Sequence, residues 1–288
     1  MYEVTSLTKN NMGEFKKLNA LKDEFNRVNK DYFKIYNRLN SFQKFLLRKK
    51  VRLLKYNYEY IGYIWIGNTS KSNCEISAMN IIGHINEIEG FKNLLSILKP
   101  YSVLIYECEK KDCNFKVLEE LGFKKHKGII EMTNILNKVI NIEIPIDISF
   151  EKLIRGKDEK LRCIIQNKIF EKNDRVPLNI DDIYYDEMQS YYYDDGAIFI
   201  KKGNCYIGYG QIIVKEGICY IVNFGILKEY HNNGYGKIFL TYLLNFIYNK
   251  RKNIVKIKVD SDNYNAVKLY KSLGFNEDKE VYKWSLDT

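Results

Sequence analysis

A chain of 288 residues, 45% hydrophobic and 14% aromatic, carries enough apolar mass for two packed domains, which excludes general disorder. Its net charge of +10 is uneven: residues 1–145 hold 24 Lys/Arg against 16 Asp/Glu, and residues 146–288 hold 22 against 20. No run reaches the roughly 18 apolar residues of a membrane span. The opening "MYEVTSLTKNNMGEF" has no basic-then-apolar leader, so a soluble cytoplasmic protein without membrane partners is the expectation. Six cysteines without a C-x-x-C pair, and only three histidines, argue against a zinc site or disulfide framework and predict no metal.

In chain order, the first feature is the basic run "KFLLRKKVRLLK", with Lys44, Arg48, Lys49, Lys50, Arg52 and Lys55. Such a run suits RNA or an anionic substrate. It lacks the aromatic-glycine pattern of RNA-binding modules, so a solvated face beside a buried strand is expected and nucleic acid is not. Next, "YEYIGYIWI" (58–66) reads as a strand, followed by another strand and a helix, "FKNLLSILK" (91–99). "VLIYECEKKDCNFKVLEELGF" (103–123) then reads as strand, polar link and amphipathic helix closed by glycine. "GIIEMTNIL" (128–136) is a further strand, and "NKVINIEIP" (137–145) marks a boundary around residues 138–145.

The second half repeats this order. "NCYIGYGQIIV" (204–214) and "CYIVNFGIL" (219–227) are strands, and "KIFLTYLLNFIYNK" (237–250) is a helix. "VKIKVDSDNYNAVKLYKSLGF" begins at Val255 where its counterpart begins at Val103, a shift of 152 residues, and both end in Leu-Gly-Phe. "VYKWSL" (281–286) closes the copy. Strands alternating with helices predict an α/β (α+β) chain of two tandem lobes, residues 1–140 and 146–288, each a mixed sheet flanked by helices.

The copies differ in what they can bind. "HNNGYG", His231 to Gly236, sets Gly234 and Gly236 directly before an apolar helix. Glycine allows left-handed angles and close approach, and the helix start aims free N–H groups and partial positive charge at one point. That is the physics of a phosphate site. The first copy reads "HINEIEG" there, with only Gly90 in comparable position. Opposite Asn263, Ala266 and Tyr270 it carries Lys111, Asn114 and Leu118, so the first lobe is expected to have lost the site.

With these residues in view, the second half resembles the GNAT superfamily of acyl-CoA N-acyltransferases. The family's loop, Gln/Arg-x-x-Gly-x-Gly/Ala after a strand and before a helix, is matched by "HNNGYG" except for its first residue. The later motif Asn-x-x-Ala-x-x-Leu-Tyr-x-x-Leu-Gly-Phe is matched by Asn263, Ala266, Leu269, Tyr270, Leu273, Gly274 and Phe275. The tandem layout looks like the mycothiol synthase type, an architectural likeness that leaves the substrate open. The first half matches only as a degraded copy.

The resemblance implies acetyl-CoA as co-substrate, with its pyrophosphate held by His231, Asn232, Asn233, Gly234, Tyr235, Gly236 and Lys237. It implies that Phe224, Gly225 and Ile226 pair with the pantetheine like an added strand, and that an N–H near Ile226 faces the thioester oxygen. Asn263 is expected to shape the strand-to-helix link and touch the cofactor. Tyr270 stands where relatives carry the acid that reprotonates the thiolate. The base is open among Tyr220, Asp260, Glu187 and a water chain. The stretch "DDIYYDEMQSYYYDDG" (181–196) falls where relatives bind the acceptor, and core packing accounts for it equally well. The expected activity is N-acetylation of a primary amine of a small molecule or peptide. Aminoacyl transfer by a double-lobe enzyme and a non-catalytic acyl-CoA sensor are the alternatives.

Overall fold

The computed structural model of the chain describes residues 1–288 apart from 71–72, 84–85, 99 and 173–174. The chain begins with β1 (Tyr2–Ser6), α1 (Met12–Ala20), α2 (Tyr32–Tyr36) and α3 (Ser41–Arg48). Then come β2 (Val51–Tyr56), β3 (Glu59–Thr69), β4 (Asn73–Ile81), α4 (Glu87–Ser96), β5 (Val103–Glu109), α5 (Asn114–Glu120) and β6 (Lys124–Ile135). The second half supplies β7 (Ile148–Lys152), α6 (Glu159–Ile169), α7 (Ile180–Glu187), β8 (Tyr192–Lys202), β9 (Cys205–Lys215) and β10 (Ile218–Ile226). It ends with α8 (Tyr235–Asn249), β11 (Ile254–Asp260), α9 (Tyr264–Ser272) and β12 (Asn276–Asp287). Among the described residues, no helix is long and apolar enough to cross a membrane.

Two compact units result, one of residues 1–129 with 279–288, the other of residues 130–278. The sequence repeat suggests a division in chain order near 138–145, but each half gives its last strand to the other unit. β12 pairs antiparallel with β5, from Val281 opposite Glu109 to Asp287 opposite Val103. Its Trp284 is fully buried in the first unit's core, 4.9 Å from the Phe115 ring. Ile130, Met132 and Leu136, at the end of the first half, join the second unit's core. Alternating burial along both strands lets either complete a sheet of this kind.

The first unit's strands run in the order β1-β2-β3-β4-β5-β12, and the second's run β6-β11-β10-β9-β8-β7. In each unit, helices cover both faces. α4 and α5 bury Phe91, Leu94 and Leu118 on one side of the first sheet, and α1 and α2 bury Phe15, Leu18 and Tyr32 on the other. In the second, α8 contributes Phe239, Leu240, Leu243 and Leu244, all fully buried, and α6 covers the opposite face with Ile165. Each such large apolar side chain stabilises its unit by about 1.5–3 kcal/mol.

One departure from regular pairing makes room for a site. β10 and β11 pair in parallel only from Cys219 opposite Val255 to Ile221 opposite Ile257. Both strands run on, to Ile226 and Asp260, without pairing further with each other, while the end of β10 stays paired with β9 on its other side. β10 carries a bulge between Val222 and Gly225, where Asn223 adopts a left-handed φ of 52°. An extra residue of this kind bends a strand and raises its twist. A Cβ at Gly225 would collide with Ile169 at the end of α6, so glycine is required for α6 to pack there.

Candidate functional site

The loop between β10 and α8 is held open by its own side chains. His231 donates from Nε2 to the Ile226 carbonyl at 2.8 Å, tying the loop to the strand end. The His231 ring N–H, expected to face the pyrophosphate, is thus turned toward the strand. Asn233 Nδ2 donates to the His231 carbonyl at 2.9 Å and folds inward. Asn232 and Gly234 take left-handed φ values of 62° and 79°, and Gly234 caps α8 without any side-chain cap. Among the described residues, the backbone N–H groups of 232–236 donate to no protein acceptor. Free donors at the start of a 15-residue helix make an anion site. At Gly236, a Cβ would meet only Leu269 Cδ2, at an ordinary 3.5 Å. Glycine here leaves space that the protein itself does not fill.

A cleft of about 660 Å³ opens between this loop and the ends of β10 and β11, where the two strands no longer pair with each other. It brings together Phe224, Gly225, Ile226, His231, Asn232, Gly234, Tyr235, Gly236, Asn263 and Tyr270 of the expected set. Asn233 and Lys237 are not in the lining. Of the three base candidates only Asp260 lines the cleft, and it pairs with Lys172 at 3.0 Å, both side chains being more than half exposed. Tyr220 and Glu187 lie outside the lining. The tyrosines of 181–196 do not line it either: Tyr184 and Tyr185 are exposed on α7, and Tyr192 packs beside Arg155.

Tyr270 comes from α9, whose start is fixed by Asn263: its side chain accepts from the Ala266 N–H at 3.2 Å. The Tyr270 ring packs between Phe224 and Phe275, at centroid distances of 6.3 and 5.9 Å. Its hydroxyl makes no hydrogen bond among the described residues. Burial raises its pKa well above that of a free phenol, so it keeps its proton at neutral pH.

The first unit has the same splay, closed by its own chain. β4 and β5 pair in parallel up to Ile76 opposite Tyr106, then run on to Ile81 and Glu109. Residues 21–29 fill the gap. The buried Asn26 side chain donates to the Glu107 carbonyl at 2.8 Å and accepts from the Glu109 N–H at 3.0 Å. Asn29 does the same across Met79, at 2.9 and 3.3 Å. The Tyr106 hydroxyl joins them, accepting from Asn26 at 2.7 Å and donating to Asn29 at 2.8 Å.

The differences between the two copies serve this plug. Lys111 donates to the Glu24 carbonyl at 2.7 Å, Asn114 to the Phe25 carbonyl at 2.9 Å, and Leu118 is fully buried. Gly90 is a packing glycine, since a Cβ there would press on Ile81 at 2.6 Å. His84 and Ile85 of "HINEIEG" lie outside the described residues, as does Lys99. Asn26→Ala would strand the Glu109 N–H and the Glu107 carbonyl, and should destabilise the protein by roughly 2–4 kcal/mol. Denaturant unfolding of the variant measures this; unchanged stability would refute the plug as a structural element.

Residues 167–275 match the family model described as the Acetyltransferase (GNAT) family. This segment is a GNAT-family domain. The whole fold is similar to a GCN5-related N-acetyltransferase from Sphaerobacter thermophilus, with a TM-score of 0.61 at 13% identity, covering 99% of this chain and 95% of that one. A tandem GNAT protein from the clavulanic acid biosynthesis pathway gives 0.52 at 10% identity, covering 100% and 98%. A GNAT-family acetyltransferase from Colwellia psychrerythraea gives 0.52 at 11% identity, covering 99% and 100%. At such identities the likeness speaks of fold, and the fold is a tandem GNAT architecture. No curated protein matches the sequence.

Next to the cleft, the second unit holds a buried polar network that sequence reasoning missed. Asn223, in the bulge, donates to Gln211 at 3.0 Å, and Gln211 donates to Asp186 at 3.0 Å. Arg162, fully buried on α6, binds Gln211, Asp186 and Gln166. Glu187 lies 3.9 Å from Arg162, and burial pushes its carboxyl pKa up. The network fixes the bulge, and through it the path of β10 along the cleft. A polar Asn interrupting the apolar run "CYIVNFGIL" was the available signal. Among the described residues, no group of three or more His, Cys, Asp or Glu side chains converges as a metal site.

Proposed function

We propose that this chain is an acetyl-CoA-dependent N-acetyltransferase, that its second unit carries the reaction, and that the acceptor is a primary amine of a small molecule or peptide. The observation that carries this reading is the coincidence of two open features in one cleft: unpaired N–H groups at 232–236, and the edge of β10 beyond Ile221 that no longer pairs with β11. The first suits a pyrophosphate. The second suits an extended pantetheine arm added as a strand. GNAT membership of residues 167–275 supports both.

In this reading, Asn232, Gly234, Tyr235 and Gly236 hold the diphosphate through backbone donors, and His231 holds the loop in shape. Phe224, Gly225 and Ile226 present the strand edge, and an N–H near Ile226 stabilises the oxygen on which negative charge builds. The acceptor nitrogen attacks the thioester carbonyl carbon, the C–S bond breaks, and Tyr270 supplies a proton to the departing sulfur. Asp260, the base candidate in the lining, or water takes the proton from the amine.

Incubating the protein with acetyl-CoA and a panel of amines, while following free thiol, tests the activity. Thiol release that no amine accelerates would refute it. Because the first unit's gap is plugged, calorimetry on the full chain should give one acetyl-CoA site per chain. A second site of similar affinity would contradict the assignment to the second unit.

A further inference from the structure

The basic run of the first unit has a partner surface that the acyl-transfer reading leaves unused. Between Tyr32 and Tyr58 the chain holds eight Lys/Arg and no Asp/Glu. Within it, α3 has no buried residue, although it carries four large apolar side chains. Phe42, Phe45 and Leu46 stand at i, i+3 and i+4 on one face and are 68%, 46% and 44% exposed; Ile35 of α2 is also exposed. Only Leu47 packs against the core beneath.

The cations are arranged around this face. Lys49 Nζ lies 4.5 Å from the centre of the Phe45 ring, and Lys44 lies 5.3 Å from that of Tyr36. Arg48 is hydrogen-bonded to the Tyr36 hydroxyl at 2.9 Å. None of these three has an acidic partner among the described residues, whereas Lys55 at the end of the run pairs with Glu3 at 3.8 Å. The sequence-based expectation of a solvated face holds for β2, where Val51, Leu53 and Leu54 are buried and the charges alternate outward. It does not account for α3, whose outward face is aromatic and aliphatic. The helix is capped at both levels, by Asn40 on the Gln43 N–H at 2.9 Å and by Gln43 on the Asn40 N–H at 3.1 Å, so the face is fixed before any partner arrives.

We propose that α3 is an interfacial helix that seats the protein on an anionic lipid surface, its apolar face entering the headgroup layer and its Lys/Arg meeting lipid phosphates. Charge complementarity selects an anionic partner, and the exposed aliphatic tips of Leu46 and Ile35 select an apolar one. A nucleic acid rewards the cations, and its bases can stack on Phe42 and Phe45, but it gives Leu46 nothing. A bilayer rewards all of them at once, apolar area adding to the attraction of each Lys or Arg for anionic lipid.

Cosedimentation of the full chain with vesicles tests this. Binding is expected to vesicles of phosphatidylglycerol mixed with phosphatidylcholine, to weaken as salt is raised, and to be at least about tenfold weaker with phosphatidylcholine alone. Replacing Phe42, Phe45 and Leu46 together by serine should reduce binding about tenfold or more. All three are surface residues, so circular dichroism should show an unchanged fold. The pair Lys44→Glu and Lys49→Glu should also reduce binding, through charge alone. Failure of the wild type to sediment with anionic vesicles at low salt overturns the proposal. So does loss in the charge-reversed variant with normal binding by the serine variant, which would mark a purely electrostatic site for RNA or another polyanion.

Discussion

Gly236→Asp is expected to abolish acetyl-CoA binding while leaving the protein folded. The fold should survive because position 236 is not held by packing. The nearest atom to a built Cβ is Leu269 Cδ2 at 3.5 Å, and glycine's conformational freedom is not required there, unlike at Gly234. Binding should fail for two reasons. A side chain enters space bordered by the free N–H groups of 232–236, and a carboxylate brings like charge to the diphosphate. Two unit charges about 4 Å apart repel by about 4 kcal/mol at an effective dielectric near 20, or about a thousandfold in affinity. Gly236→Ala separates the terms, since it adds the bulk without the charge and should weaken binding less. Calorimetry with acetyl-CoA, beside a thermal melt of each variant, gives the answer. A folded Gly236→Asp protein that binds near wild-type affinity would remove this loop from cofactor binding.

The loop was legible because glycine pairs before a helix have few other uses, and the repeat because two Leu-Gly-Phe closures stand 152 residues apart. What sequence could not carry is where the last strand of each copy goes. β6 and β12 both alternate buried and exposed side chains, and that pattern is the same whichever sheet a strand joins. The plug of the first unit was hidden for a related reason. Asn26 and Asn29 match no motif of the sequence, yet their amides imitate a strand by bonding both ways to the edges of β5 and β4. Lys111 and Asn114 therefore read as losses in the degraded copy, while in the structure they anchor the plug. Arg162 was missed because an arginine in the middle of an amphipathic helix reads as solvated. Only the tertiary fold sets Asp186 and Gln211 beside it. The charge pattern around α3 was plain in sequence, but the exposure of Phe42, Phe45 and Leu46 was not.

Tyr270→Phe should lower turnover by about 10²–10⁴-fold while leaving acetyl-CoA affinity almost unchanged. The substitution removes one oxygen and keeps the ring between Phe224 and Phe275. Because the hydroxyl has no hydrogen-bond partner among the described residues, its loss strands no buried group there and should cost little stability. The sign of the pKa shift matters for the mechanism. Burial raises the phenol's pKa, so it is fully protonated through neutral pH and contributes no ionisation to the rate profile there. The variant's profile should accordingly keep its shape near neutrality and fall in height. The raised pKa also makes Tyr270 a reluctant acid toward neutral groups, so its proton is given up only as charge accumulates on the departing sulfur. Removing an interaction of that kind lowers turnover without weakening the ground-state complex. The measurement is the single-turnover rate of thiol release at saturating acetyl-CoA, with the amine that proves fastest in the panel. A sensor with no chemistry would release no thiol in either protein. An enzyme in which Tyr270 only packs would show a difference below about threefold, and the proton would then have to come from solvent.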